Sequence, residues 1–367
     1  MGEQKTNKEL INKELDDLNL PNVLQFADGR IVANISDWEK RREEIKQILI
    51  KEEYGSIILK PHVPISYEVI KEDDKYCGAK FTYKEVKLTM HFNDENFSFP
   101  IKMSIPKENY PLKTFLYISL YPEFPNQYLP VEEICDRGFA VVQFCYTDIT
   151  SDDDDFNNGL SKYFYTDEKM RDFGKLSIWA WVTTHIMDYL NEIQEIDKGN
   201  IAIVGHSRLG KTALLASAFD SRFKVTFSND AGQSGDSLSR GKTGEHIKEI
   251  CDRFPYWFTP NYYKYIQKED ELPFDQHYLL SLIAPRNLYI ASASDNMWAD
   301  PKAQFLAIIA TNPVYELYNL QGLISNYKMP EIGEQLKDGR IGYHIRKGWH
   351  YLSRYDWNMF MDYFQNI

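Results

Sequence analysis

The stretch Gly205-His-Ser-Arg-Leu-Gly-Lys-Thr212 fits two incompatible pieces of chemistry. Ser207 follows the apolar run IAIVGH, so a sharp strand-to-helix turn would expose its hydroxyl as a nucleophile. The usual pattern for such a turn, G-x-S-x-G, wants glycine two residues after the serine; Leu209 holds that place and Gly210 follows it. The same eight residues satisfy G-x-x-x-x-G-K-[ST], in which backbone N–H groups and a lysine surround phosphates and the last hydroxyl holds magnesium. That second reading needs an acid at the end of a neighbouring strand. VTFSND offers Asp230 only 19 residues after Lys211, which is close for a second strand at the metal.

The serine reading makes a separate demand, because a hydroxyl attacks only when a histidine takes its proton and an acid fixes that histidine's tautomer. On a parallel sheet the three should run Ser, acid, His along the chain. YIASASDNMWADP puts Asp295 just past an apolar strand, and GYHIRKGWHYLSRYDW puts His350 in the loop after the last one. Taken singly, Asp295 reads as a helix-cap or turn aspartate and His350 as a surface histidine. Their joint order and their placement beyond strand ends favour the catalytic reading.

The elements that must position these residues are legible from about Leu112 onward. TFLYISL, FAVVQFCY, IAIV, KVTFSN, RNLYIASA and RIGYHI read as strands. Helix-period segments alternate with them: SIWAWVTTHIMDYLNEI, with Trp179, Val182, Ile186, Tyr189 and Ile193 on one face, then KTALLASAF, a helix from about Lys302, and SRYDWNMFMDYF. This alternation predicts an α/β fold, a mostly parallel sheet between helical layers, with ligands at the carboxyl ends of the strands. Before residue 110 the chain offers one long helix, SDWEKRREEIKQILIKEEYG, and strands such as FTYKEVKLTMHF that extend the sheet as antiparallel neighbours. Residues 1–19 read as an N-terminal extension and 20–367 as a single domain.

The 367 residues carry 54 acidic and 42 basic side chains, a formal charge of −12, which repels nucleic acid and anionic lipid. Neither is expected as a partner, and no apolar run is long enough to span a bilayer. The four cysteines, Cys77, Cys135, Cys145 and Cys251, have no C-x-x-C pair and no histidine at metal-ligand spacing, so buried free thiols are expected. The run Asp152 to Asp155 reads as a solvated loop. The charged N-terminus has no apolar signal region, which places the chain as given in the cytoplasm, or outside the cell if a signal was removed. Its opening MGEQKT also matches a short acylation pattern at Gly2 and Thr6. A monomer is the default expectation.

At the residues GHSRLGK the chain resembles the bacterial glucuronoyl esterases of carbohydrate esterase family 15, which are α/β-hydrolases. Their motif, G-[CH]-S-R-x-G-K, has arginine directly after the serine and the second glycine displaced by one. The resemblance runs from about Leu20 to Phe364 through FADGRI, YLPVEEICDRGFAVVQFCYTDI, SNDAG, FPYWFTPNYYKY, LPFDQHYLLSLIAPRNLYIASASDNMWADP and IGYHIRKGWH. So many matches in one order leave the nucleotide-binding reading a remote alternative.

The resemblance implies Ser207 as nucleophile, His350 as general base and Arg208 as oxyanion stabiliser. It implies Lys211, Glu245 and Trp298 as sugar-binding residues for an ester of glucuronic acid or its 4-O-methyl ether on xylan, with acetyl xylan esterase or another carbohydrate esterase as the alternative. No metal or organic cofactor is implied. Fungal members carry a glutamate where Asp230 stands, and some bacterial members have an acid where Asp295 stands. Aspartate is one methylene shorter than glutamate, so Asp295 is the expected orienting acid, with Asp230 adding negative potential. Gln233 and Asp236 depart from the family's glycine-rich run and are expected to alter the pocket wall. His206 stands where fungal members have a disulfide cysteine, and Asp275 and His277 are expected to form a buried structural pair.

Overall fold

The computed structural model describes residues 6–93, 95–107 and 110–367; Gly2 of the acylation pattern lies outside them. Among the described residues ten strands make one sheet: β1 (Ile65–Lys75), β2 (Phe81–His91), β3 (Asn96–Pro106), β4 (Leu112–Ser119), β5 (Ala140–Cys145), β6 (Ile196–His206), β7 (Val225–Asn229), β8 (Asn287–Ala293), β9 (Gln335–Leu336) and β10 (Ile341–Arg346). Their order is β1-β2-β3-β5-β4-β6-β7-β8-β10-β9. β5, β4, β6, β7, β8 and β10 run parallel, whereas β1, β2 and β3 extend one edge antiparallel and β9 closes the other.

Sequence pattern explains this division. β5, β7, β8 and β10 are buried at every position, as strands covered on both faces must be. β1 is exposed along almost its whole length and rich in charge, which suits an edge and discourages pairing with another chain.

Successive residues of the central strands point to opposite faces and feed two cores. Leu116, Ile118, Ile201 and Ile203 face α2 (Ile35–Leu49), α4 (Lys175–Leu190), α5 (Arg208–Phe219) and α7 (Pro301–Leu317). Phe115, Tyr117, Ala202 and Val204 face α3 (Val131–Asp136) and α8 (Arg354–Gln365). The result is a three-layer α/β/α sandwich with the expected antiparallel extension. α1 (Asn7–Asp17) and the seven-residue α6 (Ile247–Arg253) lie outside that scheme.

The long N-terminal helix expected from the sequence has two parts. α2 is ordinary, with Trp38, Arg41, Ile45 and Leu49 as its buried stripe and Asn34 capping it through the Asp37 N–H. Residues Ile50–Tyr54 then form a π-helical turn that ends at Gly55. Gly55 is at φ 95, and a Cβ there would lie 2.2 Å from Phe173 Cα, so only glycine fits.

Register sets up the site. His206 pairs with Asn229, Asn229 with Ala291, and Ala293 with Arg346, so β6, β7, β8 and β10 end side by side. The segments beginning at Ser207, Asp230, Ser294 and Lys347 therefore leave the sheet at one edge.

Candidate active site

Ser207 is the only residue between β6 and α5, and it holds φ 59, ψ −126. A non-glycine residue in that region costs about 1–3 kcal/mol, and the surrounding contacts must enforce it. Its N–H donates to Asn229 O at 2.9 Å. The two flanking glycines let the helix approach the strand: a Cβ on Gly205 would lie 1.9 Å from Leu209 O, and one on Gly210 would lie 2.9 Å from Ser228 Oγ and 3.0 Å from Ala231 Cβ. The displaced glycine therefore serves close packing between the turn and the neighbouring strand end.

This geometry removes the phosphate-loop alternative. Residues from Arg208 on are already helical, leaving no loop to wrap a phosphate. The Lys211 ammonium donates to Ala231 O, and the Thr212 hydroxyl turns back to Arg208 O at 3.0 Å.

His350 comes to the serine from the loop after β10, with Nε2 2.8 Å from Ser207 Oγ. Its ring packs at 4.5 Å on His206. His206 is fully buried, and burial drives it down to about 3, so it stays neutral while its Nδ1 meets Asn229 Oδ1 at 2.6 Å. A second cation beside His350 is thereby avoided.

The structure brings Asp230 to His350 and turns Asp295 away. Asp295 places its carboxylate on Lys347 Nζ at 2.7 Å and Ser294 Oγ at 3.0 Å, and Lys347 holds its pKa below the usual carboxylate value. Only its backbone serves the site, the N–H donating to Gly348 O at 2.9 Å and tying the β8 and β10 loops together. Asp230 sits at φ 48, just past β7, and is wholly buried. Its Oδ1 accepts the Ala293 N–H at 3.1 Å; its Oδ2 lies 3.7 Å from His350 Nδ1 and 3.9 Å from Arg346 Nη2, with no hydrogen bond of its own. The left-handed backbone swings the short side chain under the imidazole, and the missing methylene is left as a slightly long gap. Burial pushes the Asp230 carboxyl up, while its interaction with His350 pulls it down. Asn296, which no motif singles out, puts its side-chain amide 3.0 Å from the same Nδ1. Turned end for end, that amide would offer its oxygen to Nδ1–H.

Arg208 is held by an ion pair to Asp152, and its Cζ lies 5.0 Å and 4.8 Å from the ring centroids of Phe254 and Trp257. The aspartate run is therefore only partly a solvated loop: Asp153, Asp154 and Asp155 are exposed, but Asp152 faces the site. Sequence reasoning missed Asp152 because two of its side-chain partners, Arg208 on α5 and Trp257 in the FPYW turn, lie far along the chain.

Ser207, His350, Arg208 and Asp230 share a cleft of about 180 Å³ with Lys211, Glu245 and Trp298. Lys211 is buried, and that burial lowers its pKa, with Glu245 opposing. Trp298 is 46 % exposed, so it belongs to the cleft mouth and not to the core. Its carbonyl accepts the Glu245 N–H at 2.9 Å, which joins the two as one wall.

Gln233 and Asp236 do not line that wall. Asp236 lies behind it and accepts the Gly232 N–H at 2.7 Å, Ser228 Oγ at 2.8 Å and Gln304 Nε2 at 2.8 Å. Gln233 donates to Ser239 Oγ at 2.8 Å. Asp275 and His277 are both buried but serve different partners, the Ser239 N–H and Pro21 O. All four cysteines are free; three are buried and Cys77 is half-buried. Among the described residues no cluster of potential metal ligands occurs, and no helix is long and apolar enough to cross a membrane.

Layer order, strand order and a serine on a strained turn with a histidine at hydrogen-bond distance define an α/β-hydrolase. The family described as glucuronyl esterase, fungi, matches residues 88–319 of the chain. A carbohydrate esterase from an unknown prokaryotic organism is 30% identical, over 94% of this chain and 88% of its own length. A 4-O-methyl-glucuronoyl methylesterase of Phanerochaete carnosa is 26% identical, over 88% of this chain and 77% of its own. Among solved structures, a glucuronoyl esterase from Solibacter usitatus superposes with a TM-score of 0.87 at 31% identity, covering 94% and 97% of the two chains. A promiscuous esterase of carbohydrate esterase family 15 from a marine bacterial metagenome gives 0.85 at 29%, covering 94% and 96%. The chain belongs to the glucuronoyl esterase family and is a carboxylic ester hydrolase.

Proposed function

We propose that the protein cleaves esters of the carboxyl group of glucuronic acid or its 4-O-methyl ether, with Ser207, His350 and Asp230 as the catalytic triad. The observation that carries this reading is the Ser207–His350 contact of 2.8 Å, made in a cleft that Lys211, Glu245 and Trp298 also line. A lysine and a carboxylate bond vicinal sugar hydroxyls, and an exposed indole gives a sugar face something to stack on.

In this mechanism Ser207 Oγ attacks the uronate carbonyl as His350 Nε2 takes its proton. The tetrahedral oxyanion forms beside the Arg208 guanidinium and the Arg208 N–H at the start of α5. His350 then gives its proton to the departing alcohol, and water repeats the sequence on the acyl-enzyme. Asp230 holds the Nδ1–H side of the imidazole as it becomes a cation; their 3.7 Å separation shortens at that moment, because the charge on the ring then attracts the carboxylate.

Reaction of benzyl glucuronate beside a simple aryl acetate tests the substrate assignment. The glucuronate ester is expected to have the higher kcat/KM, and Lys211→Ala or Glu245→Ala to lower it by at least about tenfold while changing acetate turnover little. Preference for the acetate, unaffected by those substitutions, would instead make the protein an acetyl esterase.

A further inference from the structure

An oxyanion donor must be in place before charge develops, yet an arginine side chain is long and free to swing unless something holds it. Arg208 is held on two sides. Its Nη1 pairs with Asp152 Oδ2, and the guanidinium lies against Phe254 and Trp257; its Nε is buried with no hydrogen-bond partner.

Asp152 is itself fixed. Its Oδ1 accepts the Trp257 indole N–H at 2.7 Å, its Oδ2 accepts the Tyr146 hydroxyl at 2.9 Å, and its backbone carbonyl accepts the Tyr256 hydroxyl at 2.7 Å. Its side chain retains 11% exposure, against 56% for Asp153 in the same run. Beneath the loop, Lys175 at the start of α4 is wholly buried and donates from Nζ to Ser151 O and Asp155 O, each at 2.8 Å. The lysine anchors the loop, the loop presents one carboxylate, and that carboxylate meets the arginine that follows the nucleophile in the chain.

We propose that Asp152 is a positioning residue for Arg208, fixing the guanidinium through Nη1 so that its remaining donors stay aimed at the reacting carbonyl. This rests on the ester-hydrolase reading of Ser207 and Arg208. The arrangement has a cost, since an anion beside the guanidinium weakens its field, and the gain is a donor that need not reorganise during the reaction.

A double-mutant cycle tests it. Asp152→Asn, nearly isosteric, should lower kcat about 10- to 100-fold with KM within about twofold, because the loss falls on the transition state. In an Arg208→Ala background the same substitution should change kcat by less than about twofold. Tyr146→Phe, which removes one donor to the same oxygen, should give a smaller loss that likewise vanishes without Arg208, and it serves should Asp152→Asn fail to fold. Asp154→Asn removes the same charge from the exposed part of the loop and should leave kcat unchanged. Equal losses with and without Arg208, a rise in KM alone, or an equal loss from Asp154→Asn would overturn the proposal. The cycle is run on an aryl acetate as well as on benzyl glucuronate. A protein that cleaved only the acetate would sink the substrate assignment, while the acetate still reports whether Asp152 and Arg208 are coupled.

Discussion

At the scale of single residues the choice of acid separates most clearly what a sequence tells from what a structure tells. Ser207 and His350 were legible because topology fixes their order: nucleophile after a middle strand, histidine after the last. Asp230 and Asp295 both follow strands, and nothing in their neighbours' identities reveals where each side chain points. The direction is decided by a left-handed backbone at Asp230 and by Lys347, which captures Asp295. Asp230→Asn should therefore lower kcat on a glucuronate ester by about 10²- to 10⁴-fold, since the imidazolium loses its counter-charge. Asp295→Asn, which leaves its backbone hydrogen bond intact, should cost less than about tenfold. Steady-state kinetics on the two variants checks this, and the reverse ranking would reassign the acid. Asp152 was illegible for a different reason: four consecutive aspartates look solvated, and only the convergence of Tyr146, Trp257 and Arg208 on one of them draws it inward.

Among elements, the turn between β6 and α5 is the most constrained. The sequence exposed it through its glycines, but why the second one stands at 210 is visible only in the packing, where Gly210 faces Ser228 and Ala231. Gly205→Ala would drive a Cβ into the Leu209 carbonyl, a backbone atom that cannot rotate away. Loss of about 3 kcal/mol or more of folding stability is expected in urea titration, with activity lost even in the fraction that folds. A near-native stability would mean that the turn relaxes more easily than this packing allows. The interior strands were legible because each is a short, mostly apolar run between turn residues. β1 and the π-helical turn at Ile50–Tyr54 were not: the first is an exposed edge with a charged pattern, and the second continues a helical sequence without a break.

For the whole molecule, buried ionisable groups set the response to acid. Burial holds His185 near 4, His206 near 3 and His277 near 4, all below the value of about 6.5 for an unfolded chain. Between about pH 4 and 6.5 the unfolded state therefore binds up to three more protons, and stability falls as pH falls through that window. Glu53, a buried residue of the π-helical turn raised by burial to about 7, acts in the opposite sense: the native state keeps its proton while the unfolded state releases it above about 4.5. The two contributions leave a net destabilisation on acidification of about two protons from these groups. His185→Gln should make the slope of unfolding free energy against pH shallower by about one proton between pH 5 and 6.5, measured by urea titration at each pH. An unchanged slope would mean that His185 takes up its proton in the folded state.

In the proposed reaction Ser207 opens a glucuronate ester with His350 as its base. The most direct measurement is release of benzyl alcohol from benzyl glucuronate by the wild-type protein and by Ser207→Ala, both checked for equal folding by circular dichroism. Turnover by the wild type and a loss of at least about a thousandfold in the variant is the predicted result. A variant that retained most of the wild-type rate would contradict the account, because cleavage would then proceed without the nucleophile on which the whole site converges.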